Sequence, residues 1–180
     1  MALVLEWGNS LYEVILLFYS SRSKVDMGRS ILAVDDLTVN NIGTFAKILD
    51  FSRSKNSSNT TFEFTESWVE NCLEVKDNCK LGYYDEIAVG LIKTAFINDT
   101  TVYIEALSVL PEYLEHGVFE KLVDFAITHA KSNNFQKVSV QTNNPQFESR
   151  LIEKGFIKAS PDSVENLEAR PAETVLTIDI

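Results

Sequence analysis

The first place in this chain where chemistry suggests itself is Gly117-Val118, at the head of a long amphipathic stretch. Val118, Leu122, Phe125, Ala126 and His129 repeat at helical spacing up to Ser132. Free backbone N–H groups at such a helix start hold anions, phosphate above all. His116 sits in the loop just before it. Upstream, Tyr103 places a phenol on an apolar strand, where it can relay a proton or simply pack. His129 lies on the apolar helix face and reads as a satisfied core histidine. The two cysteines, Cys72 and Cys79, are too few for a disulfide framework, and their spacing fits no zinc motif. They read as reduced thiols of a cytosolic protein. With only two histidines besides, no metal is expected.

The elements that must position these groups follow from periodicity and turn residues. Ile31 to Val34 predicts a first strand, and Asp35, Asp36 and Thr38 supply helix-start chemistry. A helix carrying Ile42, Phe45, Ala46 and Leu49 is expected to end near Leu49. Ser52 to Thr61 reads as a loop, and Thr65 as the cap of a second helix with Trp68, Val69, Cys72 and Leu73. Three strands are predicted next: Lys80–Tyr84, Ile87–Phe96 and Val102–Val109. Asp85-Glu86 and Asn98-Asp99-Thr100 make the turns between them. Pro111 ends the sheet run. A long helix over His116–Ser132, a strand at Val138–Gln141 and a helix from Pro145 to Gly155 follow. Strands at Phe156–Ala159 and Thr174–Ile178 close the order, joined by a polar loop with Pro161 and Pro171. The expected class is α/β, a mixed, mostly antiparallel sheet with helices on both faces.

A chain of 180 residues with 45% apolar content builds one domain with a real core. Its net charge of -10 repels phosphate backbones, so no direct nucleic-acid binding is expected. The apolar run Val14 to Tyr19 is too short to span a bilayer, and Glu6 and Glu13 precede it where a signal peptide would be basic. No membrane association is expected. Residues 1–26 read as an N-terminal extension, docked or disordered, and 27–180 as the domain, with Met27 an alternative start.

Leu107-Ser108-Val109-Leu110-Pro111-Glu112-Tyr113 followed by Gly117-Val118, and later Glu153-Lys154-Gly155-Phe156, resemble the strand-loop-helix and Gly-Phe signatures of the GNAT acetyltransferases. Within that family the chain is similar to N-terminal protein acetyltransferases, in particular the fungal NatE catalytic-type subunit that associates with the NatA complex. Met27-Gly28-Arg29, Val39 to Gly43, Cys72 to Val75, Lys80 to Tyr84, Glu86 to Gly90, Val102-Tyr103-Ile104 and Arg170 to Glu173 carry that likeness. The resemblance implies the GNAT fold and acetyl-CoA as cofactor, held by Leu107, Val109, His116, Gly117 and Val118. It implies Tyr103 as the catalytic group and Phe51 in the peptide groove. It implies the NatA catalytic and auxiliary subunits as partners, nascent peptide N-termini as substrate if the chain is active, and a cytoplasmic location with ribosome association through those partners.

The chain departs from the family pattern where the reaction is performed. The pyrophosphate loop reads Leu114-Glu115-His116-Gly117-Val118-Phe119, without its basic residue and with Phe119 in place of a small one. Phe119 also fits as plain core of an amphipathic helix. The histidine expected to partner Tyr103 falls near Gln141, and the general-acid tyrosine falls at Leu151. Neither glutamine nor leucine can do that work. The Phe-Pro loop retains only Phe51, and the late tyrosine pair becomes Glu165-Asn166. Two readings follow: a subunit with a degenerate acetyl-CoA site and little catalysis of its own, or an active N-terminal acetyltransferase with a rearranged loop. A GNAT-fold interaction module unrelated to acetylation is the third.

Overall fold

Asp85 and Glu86 adopt φ of 48° and 69°, the left-handed pair that a two-residue hairpin turn demands. They join β2 (Cys79–Tyr84) to β3 (Ile87–Phe96). Asn98 shapes the next turn by accepting from the Thr100 N–H at 2.9 Å, and β4 (Thr101–Val109) returns beside β3. In this computed structural model residues 31–55, 66–160, 163–167 and 173–180 are described. The N-terminal extension, the cap at Thr65 and the prolines at 161 and 171 fall outside them.

Among the described residues seven strands form one sheet. The outer strand β1 (Leu32–Asp36) pairs with β2, and β5 (Lys137–Thr142) lies beside β4 as the sheet's one parallel neighbour. β7 (Thr174–Asp179) and β6 (Ile157–Ala159) complete it, in the order β1-β2-β3-β4-β5-β7-β6. Among the described residues four α-helices cover it: α1 (Ile42–Lys55), α2 (Glu66–Glu74), α3 (Val118–Ser132) and α4 (Pro145–Glu153). This is the α/β arrangement expected, with two strand-helix boundaries moved.

The first concerns α1, which starts at Ile42 rather than after Asp36. Asp35 and Asp36 stay in β1, paired with Leu81 and Lys80. Asn41 then builds the turn, accepting from the Thr38 N–H at 2.7 Å and donating to the Asp36 carbonyl at 3.0 Å. At its other end α1 runs on to Lys55, so Phe51 stands within a helix and not in the expected loop; residues 56–61 of that loop lie outside the described residues. The second concerns α3. Pro111–His116 is a 3₁₀ turn, and the α-helix begins only at Val118.

The two faces carry separate cores. On one, α3 and α4 bury Val118, Phe119, Leu122, Ala126 and Leu151 against Val102, Ile104, Val138, Val140 and Leu176. On the other, Phe45, Ile48 and Leu49 of α1 and Cys72 of α2 pack on Cys79, Leu81 and Leu91. α3 lies close because Gly82 has no side chain. A Cβ there would stand 2.8 Å from Val118 Cγ1.

Charge is also buried on the second face. Between Lys93 and Thr94 the register shifts, leaving Glu105 as the extra residue of a β4 bulge. Glu105 Oε2 lies 2.9 Å from Lys93 Nζ, and its Oε1 accepts from the Trp68 indole at 2.7 Å. The Lys93 ammonium also sits 4.3 Å from the Trp68 ring centre. These contacts pin α2 to the sheet.

Candidate active site

The parallel ladder between β4 and β5 covers only Thr101–Ile104 against Lys137–Val140. Beyond it the strands part: Val109 stays with Gly90 of β3, and Thr142 with Thr174 of β7. A wedge opens at the carboxyl ends of two parallel strands, a usual place for a ligand in such sheets. Leu110 donates its N–H to the Val89 carbonyl at 2.8 Å, toward β3. By strand alternation, the main-chain groups of Leu107 and Val109 turn the other way, into the wedge. Their side chains pack with the core beneath α3.

α3 and α4 flank the mouth, since each follows one of the parting strands. Gly117 caps α3 with φ 82°, and no side chain bonds the first turn. The first N–H groups of α3, that of Val118 among them, therefore face outward. The Val118 side chain itself is core, against Gly82. His116 is exposed and packs between aromatic rings, 4.7 Å from Tyr84 and 5.9 Å from Tyr113. α4 is capped from within: Asn144 Oδ1 accepts from the Gln146 N–H at 3.0 Å, with Pro145 in the first turn.

Three sets of side chains tie α3 to α4 across this mouth. Phe119 is fully buried, its ring centre 5.0 Å from that of Phe147. It is core, as the amphipathic reading allowed. Arg150 donates through Nη1 to Glu120 Oε1 at 2.7 Å and through Nη2 to Glu115. Lys154 pairs with Asp124 one turn further on. The bond to Glu115, with help from Glu120, holds the Arg150 guanidinium deeper in its charged range than usual. Arg150, Glu120 and Phe147 do not stand out in the sequence. The i,i+4 pairs Glu120/Asp124 and Arg150/Lys154 on two neighbouring helices are the signal that could have found them.

Acetyl-CoA, the cofactor the resemblance implies, fits this arrangement poorly. The three side chains at the α3 N-terminus sum to one net negative charge, two carboxylates against one guanidinium. Glu115 is therefore not the isolated acid its position suggests, yet its partner leaves no spare cation. A carboxylate about 5 Å from a phosphate costs between about 1 kcal/mol at the dielectric of water and about 3 at an effective dielectric of 20. Phe119 and Phe147 occupy the space between the helices. The open N–H groups at Gly117 are the one part of a phosphate cradle that remains.

Tyr103 is buried at 6% exposure and faces the side opposite α3, where α1 and Phe51 also lie. Its direct partner across the ladder is Ser139, not Gln141, which stands two residues further along β5. That corrects the sequence expectation. Ser139 is fully buried, and its hydroxyl has no hydrogen-bond partner among the described residues. Thr177 of β7 flanks it on the other side. Leu151, at the expected general-acid position, is fully buried in the core. His129 is half-buried, stacked on Phe96 and Phe125, with Nε2 3.1 Å from Asn78 Oδ1. Among the described residues no cluster of metal-ligating side chains occurs, and no helix is long and apolar enough to cross a membrane.

The fold as a whole recurs in solved structures. Naa50 of Arabidopsis thaliana, in complex with the bisubstrate analogue CoA-Ac-MVNAL, matches at 17% identity and TM-score 0.61, over 83% of this chain and 99% of its own. Ard1 of Thermoplasma volcanium matches at 15% and 0.63, over 83% and 97%. A GNAT family acetyltransferase of Elizabethkingia anophelis with acetyl-CoA bound matches at 14% and 0.57, over 83% and 98%. At these identities the likeness is one of fold. No curated protein sequence matches the chain. Residues 45–154, from the first helix through the wedge to the end of α4, match the sequence model of the acetyltransferase (GNAT) family, and the chain belongs to it.

Proposed function

We propose that this chain is an N-terminal protein acetyltransferase-family subunit of the NatA/NatE type, with a degenerate acetyl-CoA site and little or no catalysis of its own. The observation that supports it is the closure of the wedge mouth. Phe119 packs at a tilt against Phe147, and Arg150 is spent on Glu115 and Glu120, where a cofactor would need space and positive charge. Loss of the proton-transfer groups agrees with this: Ser139 faces Tyr103, and Leu151 is core. In this reading the chain contributes by binding the NatA catalytic and auxiliary subunits in the cytoplasm, near the ribosome.

One observation favours an active enzyme as the second reading. Gly117 keeps its left-handed conformation and α3 its uncapped first turn, an anion site in outline. Calorimetric titration of the full chain with acetyl-CoA separates the two. The first reading expects no saturable heat. Saturable micromolar binding overturns it and calls for assays on peptides beginning with Met. Co-expression with the NatA subunits then tests the partnership. Failure to co-purify removes the complex and leaves a GNAT-fold module with another role.

A further inference from the structure

The stretch 163–167, between β6 and β7, is bonded to a part of the sheet that neither strand touches. β6 ends at Ala159, level with Val175 of β7 and Gln141 of β5, and β7 starts at Thr174, level with Thr142. Both points lie at the wedge end of the sheet. The stretch between them is tied to the β3–β4 turn, at the opposite end of β4. Asn98 Nδ2 donates to the Glu165 carbonyl at 3.0 Å, and Asn166 Nδ2 donates to the Ile97 carbonyl at 3.2 Å. A chain going from β6 to that turn has β7, β5 and β4 in its way. α3 and α4 occupy one face of those strands, which leaves the other for the crossing.

On that other face Tyr103, Ser139 and Thr177 stand side by side on β4, β5 and β7, each bearing a hydroxyl. α1 packs on β3 and β4, yet Ser139 and Thr177, on the strands beyond, are as well buried as Tyr103. Val164 is also buried, and it belongs to neither of the two helix-packed cores.

We propose that residues 163–167 are a latched strap, with Val164 lying over the hydroxyl row, which closes the α1 side of the wedge until the two asparagine amides let go. Opposed effects poise it. Asn98 grips from a fixed base, its Oδ1 accepting from the Thr100 N–H at 2.9 Å and the Thr100 hydroxyl at 3.0 Å. Asn166 grips from a left-handed backbone with φ 64°, which asparagine tolerates. Ser139 works against both. Its hydroxyl is fully buried with no hydrogen-bond partner among the described residues, a cost that opening relieves by hydration. With the strap lifted, the Tyr103 phenol and the two hydroxyls beside it are open to a ligand. Access to Tyr103 is gated in this way whether or not the chain transfers an acetyl group.

The test is nitration of the full chain with tetranitromethane, with the rate at Tyr103 read by peptide mapping. In the wild-type chain that rate should barely change in urea below the unfolding transition, because lifting five residues exposes little surface. Asn98→Asp keeps the acceptor for Thr100 and loses the donor to Glu165. Asn166→Gly keeps the left-handed backbone and loses the donor to Ile97. One neutral hydrogen bond shifts an equilibrium by about two- to tenfold, so the double variant should nitrate Tyr103 at least about fivefold faster. Ser139→Ala, with no hydroxyl left to hydrate, should nitrate it more slowly. The urea dependence of the wild-type rate stands even if a variant fails to fold. A Tyr103 rate that climbs with urea as steeply as global unfolding, a double variant no faster than wild type, or a Ser139→Ala chain no slower would each overturn the proposal.

Discussion

Replacing Glu105 with alanine is the sharpest test of how the sheet is held on the α1–α2 face. Glu105 and Lys93 have side chains only 16% and 7% exposed, so the pair is nearly out of water. Removing one member of a buried pair leaves the other uncompensated, at about 3–5 kcal/mol. Two details adjust that figure in opposite directions. Lys93 keeps the Trp68 ring at 4.3 Å, worth up to about 2 kcal/mol when desolvated. The Trp68 N–H loses its acceptor, at about 1–3 kcal/mol. These nearly cancel, so Glu105→Ala should cost about 3–5 kcal/mol and lower the melting temperature by roughly 10 °C at 2–4 °C per kcal/mol. Glu105→Gln, which keeps an acceptor for Trp68, should cost less. Lys93→Met with Glu105→Leu removes both charges and should recover most of the loss. Urea unfolding of wild type, Lys93→Met, Glu105→Leu and the double gives the cycle. A single Glu105→Ala cost below about 1 kcal/mol, or a double as damaged as the single, would refute a buried, mutually compensating pair.

Acid should weaken the fold through His129. Burial first, then Lys80, holds its pKa below the ordinary value of 6.5, while Asp77 pulls the other way. The unfolded chain therefore takes up this proton before the native one does. The stability is present above 6.5 and is lost as the pH falls from there toward the lower native value. His129→Gln should flatten that part of a stability–pH curve, and an unchanged slope would remove His129 as its source. Phe119→Ala should cost about 3–5 kcal/mol by denaturant titration, because the ring is fully enclosed against Phe147. A loss near 1 kcal/mol would mean the ring is not core. Gly117→Ala should destabilise by about 1–2 kcal/mol, since its φ is 82° and the new Cβ would stand 3.2 Å from Leu32. Gly43→Ala, in open space on a helix, should stabilise by about 0.4–1 kcal/mol. The same sign for both would contradict the backbone argument.

Local signals carried the fold. The β2–β3–β4 run was legible because Asp85-Glu86 and Asn98 mark turns by their own chemistry, and α3 because its apolar stripe has one clean period. The α1 start was not, because Asp36 and Thr38 read equally as caps. Pairing of β1 with β2, a contact remote in sequence, decided in favour of the strand. The site was harder for the same reason. Tyr103 could be named from the sequence. The residue facing it depends on the register of two parallel strands separated by the whole of α3, and a slip of two residues turned Ser139 into Gln141. Glu115 looked like an unpaired acid because Arg150 is 35 residues away. Lys93 and Glu105 looked like ordinary strand charges, since a bulge leaves no mark in composition.

The short β4–β5 ladder has a mechanical meaning. Among the described residues, the ladder that joins β1–β4 to β5–β7–β6 spans four residue pairs, extended at one end by the N–H groups of Gln136 and Lys137 on the Thr100 carbonyl. Each half is a broad antiparallel plate, stiff within itself. α3 lies across the seam, in contact with β1 through β5. The molecule is built like two panels on a narrow hinge with α3 as the brace. The angle between the panels is then set by the packing of α3 more than by the strand bonds, and thinning that packing should soften the hinge before it melts either panel.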